Sequence, residues 1–218
     1  MKKDYLLFDL DGTLTDPKEG ITKSVRHALH AFGIEAENLD DLCCFIGPPL
    51  KDSFMEYYGF TESDAQKAVE IFREYFSSQG IFENKVYEGT RESLKALVRS
   101  GKKLYVASSK PEVFVRMILE HFELDSYFEF MGGADFEEIR VKKADVIRYV
   151  LDTCEIRDIS KTVMIGDRKH DILGAKEFGM ESVGALYGYG SREELTKAGA
   201  DFLVESILIC RIFSSVLY

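Results

Sequence analysis

Tyr5-Leu6-Leu7-Phe8-Asp9-Leu10-Asp11-Gly12-Thr13-Leu14-Thr15-Asp16 is the stretch from which the rest of the chain can be read. Its apolar run is too short for a good helix and is bounded by Gly12, so it reads as a strand buried on both faces, as in a parallel sheet. In an open α/β sheet, ligands gather in the crevice beyond the carboxyl ends of the strands, which puts Asp9 and Asp11 where chemistry is done. Alternation along an extended chain places both carboxylates on one side, about 6 to 7 Å apart from the rise per residue. Like charges that close repel unless a cation lies between them or a proton is shared. A hard divalent ion such as Mg²⁺, held by few carboxylates together with a phosphate, answers that repulsion. Gly12 lets the backbone turn at once and brings amide N–H groups towards an anion.

The chain has 218 residues, 45% of them hydrophobic and 30% charged, which fits one large domain or a domain carrying an inserted smaller one. A formal net charge of −10 argues against a nucleic-acid polymer or an anionic membrane as partner. Cys43, Cys44, Cys154 and Cys210 show neither Cys-x-x-Cys spacing nor a dense framework, so a reducing compartment and buried thiols are expected. Met1-Lys2-Lys3-Asp4 leads straight into a strand, and no stretch of about 18 apolar residues occurs. The expectation is a cytoplasmic protein without signal peptide or membrane span.

After Pro17 the period changes from two to 3.6. Ile21, Val25, Ala28, Leu29 and Phe32 form one helical stripe stopped by Gly33. A second helix is expected over Leu39 to Phe45, broken by Gly47-Pro48-Pro49, and a third from Leu50 to Gly59. Thr61-x-x-Asp64 resembles a capping box for a fourth, with Ala65, Ala68, Val69, Phe72 and Phe76 on one face. From Tyr87 onward, strands and helices alternate as in right-handed βαβ units. Strands are expected at 103–108, 127–131, 162–166, 182–186 and 202–204, and helices at 90–100, from Pro111 to 122, at 143–154 and at 172–178. The fold class is thus α/β, a Rossmann-like parallel sheet core (1–15 and 84–218) with an inserted all-helical domain (16–83).

Asp9-x-Asp11-Gly12-Thr13-Leu14 resembles the first motif of the haloacid dehalogenase-like superfamily, and three further stretches match that family in order. Ser108, at a strand end before Ser109-Lys110-Pro111, stands where the second motif has a phosphate-binding hydroxyl. Ser109 reads as the cap of the next helix, which also points N–H groups at an anion. Arg140, Lys142 and Lys143 precede a helix where the third motif has a lysine. The usual Lys-Pro-x-Pro is missing, so Lys142 and Lys143 both remain open, with Lys143 preferred because it directly precedes the apolar face. Gly166-Asp167-x-x-x-Asp171 matches the fourth motif, with Asp171 one helical turn after Asp167.

The resemblance implies a Mg²⁺-dependent phosphatase acting on a small phosphorylated metabolite, with the helical domain as a cap that closes over the substrate. It implies Asp9 as the nucleophile, Asp11 as general acid and base, and Lys143 as the group that offsets phosphoryl charge. Asp9, Asp167 and a backbone carbonyl of Asp11 would hold Mg²⁺, with Asp171 in or behind that shell. Gly12, Thr13, Ser108 and Ser109 would bind phosphate. Lys51, in the Gly47-Pro48-Pro49-Leu50-Lys51 loop, is a candidate for a substrate anion.

A phosphomutase on a sugar phosphate uses the same motifs, and a phosphate-binding module without turnover would keep the same fold. The intact catalytic positions favour the enzyme. Gly188-Tyr189-Gly190-Ser191-Arg192-Glu193-Glu194-Leu195 with Ala198-Gly199-Ala200-Asp201 is similar to the phosphoglycolate phosphatase and 5′-nucleotidase subgroup. Phosphoglycolate calls for a cation such as Lys51, Lys23 or Arg26 in the cap. A nucleotide calls for an apolar wall. The apolar Ile46-Gly47-Pro48-Pro49-Leu50 beside a single lysine tips the reading towards the nucleotide. His27, His30 and His170 read as surface residues, Tyr57, Tyr58, Phe72, Tyr75 and Phe76 as mainly bundle core, and the apolar tail Ile207–Phe213 stands outside the resemblance.

Overall fold

A computed structural model describes residues 2–135, 139–208 and 213. β1 (Tyr5–Phe8) carries Leu6, Leu7 and Phe8, all fully buried. Gly12 turns the chain at φ +81°, a conformation L side chains rarely adopt, into β2 (Thr15–Asp16). α1 (Lys18–Ala31) buries Ile21, Val25, Ala28 and Leu29 along one stripe. Leu39–Phe45, expected as an α-helix, is a 3₁₀ helix whose start is capped by the Asn38 side chain. So short a piece, ending just before Gly47-Pro48-Pro49, favours the tighter connector geometry. α2 (Leu50–Tyr58) stops at Gly59 with φ 64°, and α3 (Glu62–Tyr75) starts behind Thr61, whose hydroxyl oxygen accepts from the Asp64 N–H at 3.1 Å. A π-helical turn, Phe76–Gly80, leads to β3 (Lys85–Val86), which pairs with β2.

Helices and strands then alternate through α4 (Thr90–Arg99), β4 (Lys103–Pro111), α5 (Glu112–His121), β5 (Phe130–Ala134), α6 (Lys143–Thr153), β6 (Thr162–Gly166), α7 (Lys169–Lys176), β7 (Glu181–Ala185), α8 (Arg192–Ala198) and β8 (Phe202–Val204). Three departures from expectation have identifiable causes. β5 lies later than expected and includes Gly132 and Gly133, because a Cβ there would stand 2.5 Å from Val150 Cγ2 or from Glu112 Cα. These glycines serve close packing within the sheet layer and do not end the strand. α7 starts at Lys169, ahead of the expected Ile172, because the Asp171 carboxylate accepts from Arg168 N–H at 3.0 Å and closes the first turn. α8 is an addition to the expected elements, although Ser191-x-x-Glu194 is a capping signature, and Ser191 Oγ accepts from Glu194 N–H at 3.0 Å.

The six long-range strands form one sheet in the order β5-β4-β1-β6-β7-β8, and every neighbouring pair is parallel. The chain builds outward from β1 through β4 and β5, then returns to the other side of β1 for β6, β7 and β8. The carboxyl end of β1 is therefore the topological switch point, where an open sheet leaves a crevice. The chain divides into two compact units: Met1–Asp16 with Val86–Tyr218 holds this sheet, and Pro17–Lys85 holds α1 to α3.

On one face of the sheet, Leu7, Tyr105, Ala107 and Met164 pack with Val146, Ile147, Val150 and Leu151 of α6. Leu7 sits at the centre of that cluster with no exposed surface. Leu7→Ala is expected to cost about 2–5 kcal/mol, read as a lower urea midpoint at unchanged m. A cost below about 1 kcal/mol would contradict this placement of β1.

In the helical unit Phe72 and Phe76 are buried and Tyr58 and Tyr75 half-buried, but Tyr57 is 44% exposed at the bundle edge and is not core. Ile46 is fully buried, so it offers no wall to a ligand. Ile207 and Phe213 of the apolar tail are buried. Residues 209–212, Cys210 among them, lie outside the described residues. No helix of the described residues is long and apolar enough to cross a membrane.

Candidate active site

Asp9 follows β1, Asp167 follows β6 and Asp171 lies in the first turn of α7. Their carboxylates offer oxygens within 4.8 Å of one another, and all three side chains are buried. Lys143, first residue of α6, is also buried, with Nζ 2.8 Å from Asp9 Oδ1 and 2.8 Å from Asp171 Oδ1, and it donates to Ala107 O at 2.9 Å. The two carboxylate contacts are ion pairs by distance without hydrogen-bond alignment, so both oxygens keep unused accepting capacity. Burial opposes the Lys143 charge, but the pull of Asp171 and Asp9 outweighs it and raises the ammonium pKa above its ordinary value. Lys142 is exposed.

Asp167 accepts from Tyr189 N–H at 2.7 Å through Oδ2 and, weakly, from Thr13 Oγ1 at 3.4 Å through Oδ1. Burial, and then the charges of Asp171 and Asp9, still push its carboxyl well above the usual range. Asp171 is pushed up to about 6, chiefly by burial, which Lys143 partly offsets. Asp11 does not join this carboxylate cluster. Its Oδ2 lies 2.8 Å from Lys110 Nζ, and its Oδ1 is buried without a hydrogen-bond partner among the described residues. Burial raises the Asp11 carboxyl, and Lys110 opposes the rise.

Among the described residues, these four buried carboxylates form ion pairs with two ammonium groups, those of Lys110 and Lys143, so formal negative charge exceeds its paired positive charge by two. The donors are oxygen only, and two of the clustered oxygens have accepting capacity to spare. Such a set fits a hard divalent cation of the Mg²⁺ type.

Ser108, in β4, is buried, and its Oγ accepts from Lys110 N–H at 3.3 Å. Ser109 does not cap α5 as expected. β4 continues to Pro111, which takes the cap position without a side-chain hydrogen bond and so precedes the helix instead of opening it. The N–H groups of Gly12 and Thr13 donate within their own turn, to Thr15 O and Leu10 O, and are not directed at an anion as expected. Lys51 is ion-paired to Glu62 at 2.8 Å within the helical unit. His27 and His30 lie on α1 with Glu74 and Glu35 as neighbours, and His170 is half-buried.

Two features escape a reading of the sequence: the place of Lys110, and what the glycines of the Gly188-Tyr189-Gly190 stretch quoted above are for. Lys110 stands next to Ser108-Ser109 but carries no periodicity to mark it. The Gly188-Tyr189-Gly190 loop packs on Asp167: a Cβ at Gly188 would stand 2.4 Å from Asp167 Cβ, and one at Gly190 1.9 Å from Asp167 O. Tyr187 Oη donates to Thr13 O at 3.0 Å, and Tyr189 Oη bonds Asp16 Oδ1. These glycines make room for the Asp167 backbone and side chain, and neither has a positive φ.

Residues 6–185 match the haloacid dehalogenase-like hydrolase family. The chain is 49% identical over 190 residues to a 5′-nucleotidase of Pseudomonas aeruginosa, covering 87% of this chain and 86% of that protein. It is 28% identical over 211 residues to a phosphoglycolate phosphatase of Vibrio parahaemolyticus, covering 93% and 92%. Among solved structures, a predicted phosphatase from Clostridium acetobutylicum superposes with a TM-score of 0.92 at 48% identity, covering 95% of each chain. By motif order, fold and kinship with phosphatases, the chain belongs to the haloacid dehalogenase-like hydrolase family.

Proposed function

We propose that the chain is a Mg²⁺-dependent phosphatase that hydrolyses 5′-nucleotides through an aspartyl-phosphate on Asp9. The observation that carries this reading is the buried Asp9 carboxylate between Lys143 and Asp167 at the switch point of the sheet, with Asp11 on the same loop. When bound by Asp9 and Asp167, Mg²⁺ supplies positive charge to the phosphoryl oxygens.

The steps belong to the chain's own residues. An Asp9 oxygen attacks phosphorus, the bond to the leaving alcohol breaks, and a proton on Asp11 passes to that alcohol. Asp11 then takes a proton from water as the water oxygen attacks phosphorus, the bond to Asp9 breaks, and inorganic phosphate leaves. Lys143 offsets charge on the transferring group, and the Ser108 hydroxyl gives it a neutral donor.

The nucleotide is favoured over phosphoglycolate because the relative named 5′-nucleotidase is 49% identical and the one named phosphoglycolate phosphatase 28%. Phosphate release from purified protein, measured over nucleoside 5′-monophosphates, phosphoglycolate and sugar phosphates with Mg²⁺ and then with excess chelator, tests both parts. Turnover is expected to be highest on a nucleotide, to vanish with chelator and to return when Mg²⁺ is restored. A kcat/KM for phosphoglycolate above that for every nucleotide overturns the substrate, and full activity in chelator overturns the metal.

A further inference from the structure

We propose that Lys110 is the positioning residue for Asp11, pinning one carboxylate oxygen so that the other is presented to the proton that moves in each half of the reaction. The inference rests on the phosphatase reading above and deepens it. Three observations carry it. Lys110 Nζ lies 2.8 Å from Asp11 Oδ2, and the side chains are only 8% and 10% exposed. Asp11 Oδ1 is buried and without a hydrogen-bond partner among the described residues, so one oxygen is tied and the other keeps its accepting capacity. Thirdly, the backbone is built to deliver this lysine. Ala107 pairs with Gly132 and Pro111 with Ala134, so β4 advances four residues where β5 advances two. The excess is a bulge that contains Lys110, and bulges beside active sites re-aim a side chain that regular pleating would send elsewhere.

The bulge is tightly seated. Lys110 N–H donates to Ser108 Oγ at 3.3 Å, and a Cβ on Gly133 of the neighbouring strand would stand 2.7 Å from Lys110 O. The lysine main chain thus has little room to shift. A carboxylate with two rotatable bonds swings unless something holds it, and a misplaced general acid loses rate without losing substrate affinity.

The test measures how rate depends on the leaving group. A leaving alcohol of high pKa needs the proton that Asp11 delivers, whereas 4-nitrophenolate leaves without one. With Mg²⁺ present, Lys110→Met is expected to lower kcat/KM, which reports only the half-reaction that expels the leaving group, about 10- to 100-fold on alkyl and phenyl phosphates and less than about threefold on 4-nitrophenyl phosphate. Asp11→Asn should show the same dependence more strongly, and Lys110→Met in the Asp11→Asn background should add less than about twofold, because residues acting as one unit are not additive. Lys110→Arg should recover part of the loss on alkyl phosphates. If Lys110→Met alone fails to fold, because it strands a buried carboxylate, the double variant removes both charges and the comparison with Asp11→Asn still decides.

An equal loss of kcat/KM on every leaving group, or additive losses in the double variant, overturns the proposal. So does a rise confined to KM, which would assign Lys110 to a substrate anion. If Asp9→Asn and Asp11→Asn lose activity as expected while Lys110→Met is silent, this inference fails alone. An active Asp9→Asn brings down the underlying reading instead.

Discussion

Asp9→Asn is expected to abolish phosphate release, by more than about 10⁴-fold in kcat, while the protein stays folded. The amide keeps the shape of the carboxylate but lacks its nucleophilic charge and is a poorer partner for a divalent cation. Stability is expected to hold or rise. In the native site the Asp9 charge is one of the influences that push Asp167 and Asp171 upward, behind burial, so neutralising it relieves repulsion among buried carboxylates. Lys143 still has Asp171 as an ion-pair partner at 2.8 Å. Calorimetry beside a phosphate-release assay checks both halves. Activity near that of the wild type would sink the aspartyl-phosphate route, and a collapse of the fold would show that Asp9 is needed for structure.

Lys143→Met should have the next largest effect, on activity and stability together. The ammonium is the group that balances Asp9 and Asp171 in a fully buried cluster. Removing one partner of a buried ion pair commonly costs about 3–5 kcal/mol. Loss of a donor aimed at developing charge commonly costs about 10²–10³ in rate. The variant should also lean on the metal more than the wild type does, because a divalent cation then becomes the main counter-charge for the cluster. Adding Mg²⁺ should raise its melting temperature by more than it raises that of the wild type. Equal shifts in the two proteins would mean that the cation and the lysine do not share the same carboxylates.

The chain announces much of this architecture because its strongest signals are local. A buried strand that ends in Asp9-x-Asp11-Gly12 needs only a few residues to be recognised, and so does the cap at Thr61. Helix phase alone prefers Lys143 over Lys142, and Lys143 is indeed the buried one of the pair. Features set by register between distant strands leave no such trace. The bulge that aims Lys110 exists only relative to β5, and the reason for Gly188 and Gly190 lies in Asp167, about twenty residues earlier in the chain. Ser109 misleads because its hydroxyl suggests a cap where the strand in fact continues to Pro111. α8 stays hidden despite its Ser-x-x-Glu signature, because the preceding glycines draw the reading towards a loop.

The parallel order of the sheet also bears on how the protein comes to life. Thr13 and Asp167 are 154 residues apart in sequence and meet in the finished site, as do the lysines of β4 and α6 with the carboxylates of the first loop. No short segment of the nascent chain can bring Asp9, Lys143 and Asp167 together by itself. Each contact waits for a long loop to close, and folds dominated by such distant pairings are slow to assemble. On refolding, helical signal should therefore return well before turnover does. A ribosome-bound fragment that lacks β6 would carry Asp9 and Asp11 on an unfinished sheet, with no Asp167 to complete the centre. Catalytic competence is thus a late event in the life of each molecule, and it becomes possible only after most of the polypeptide has been made.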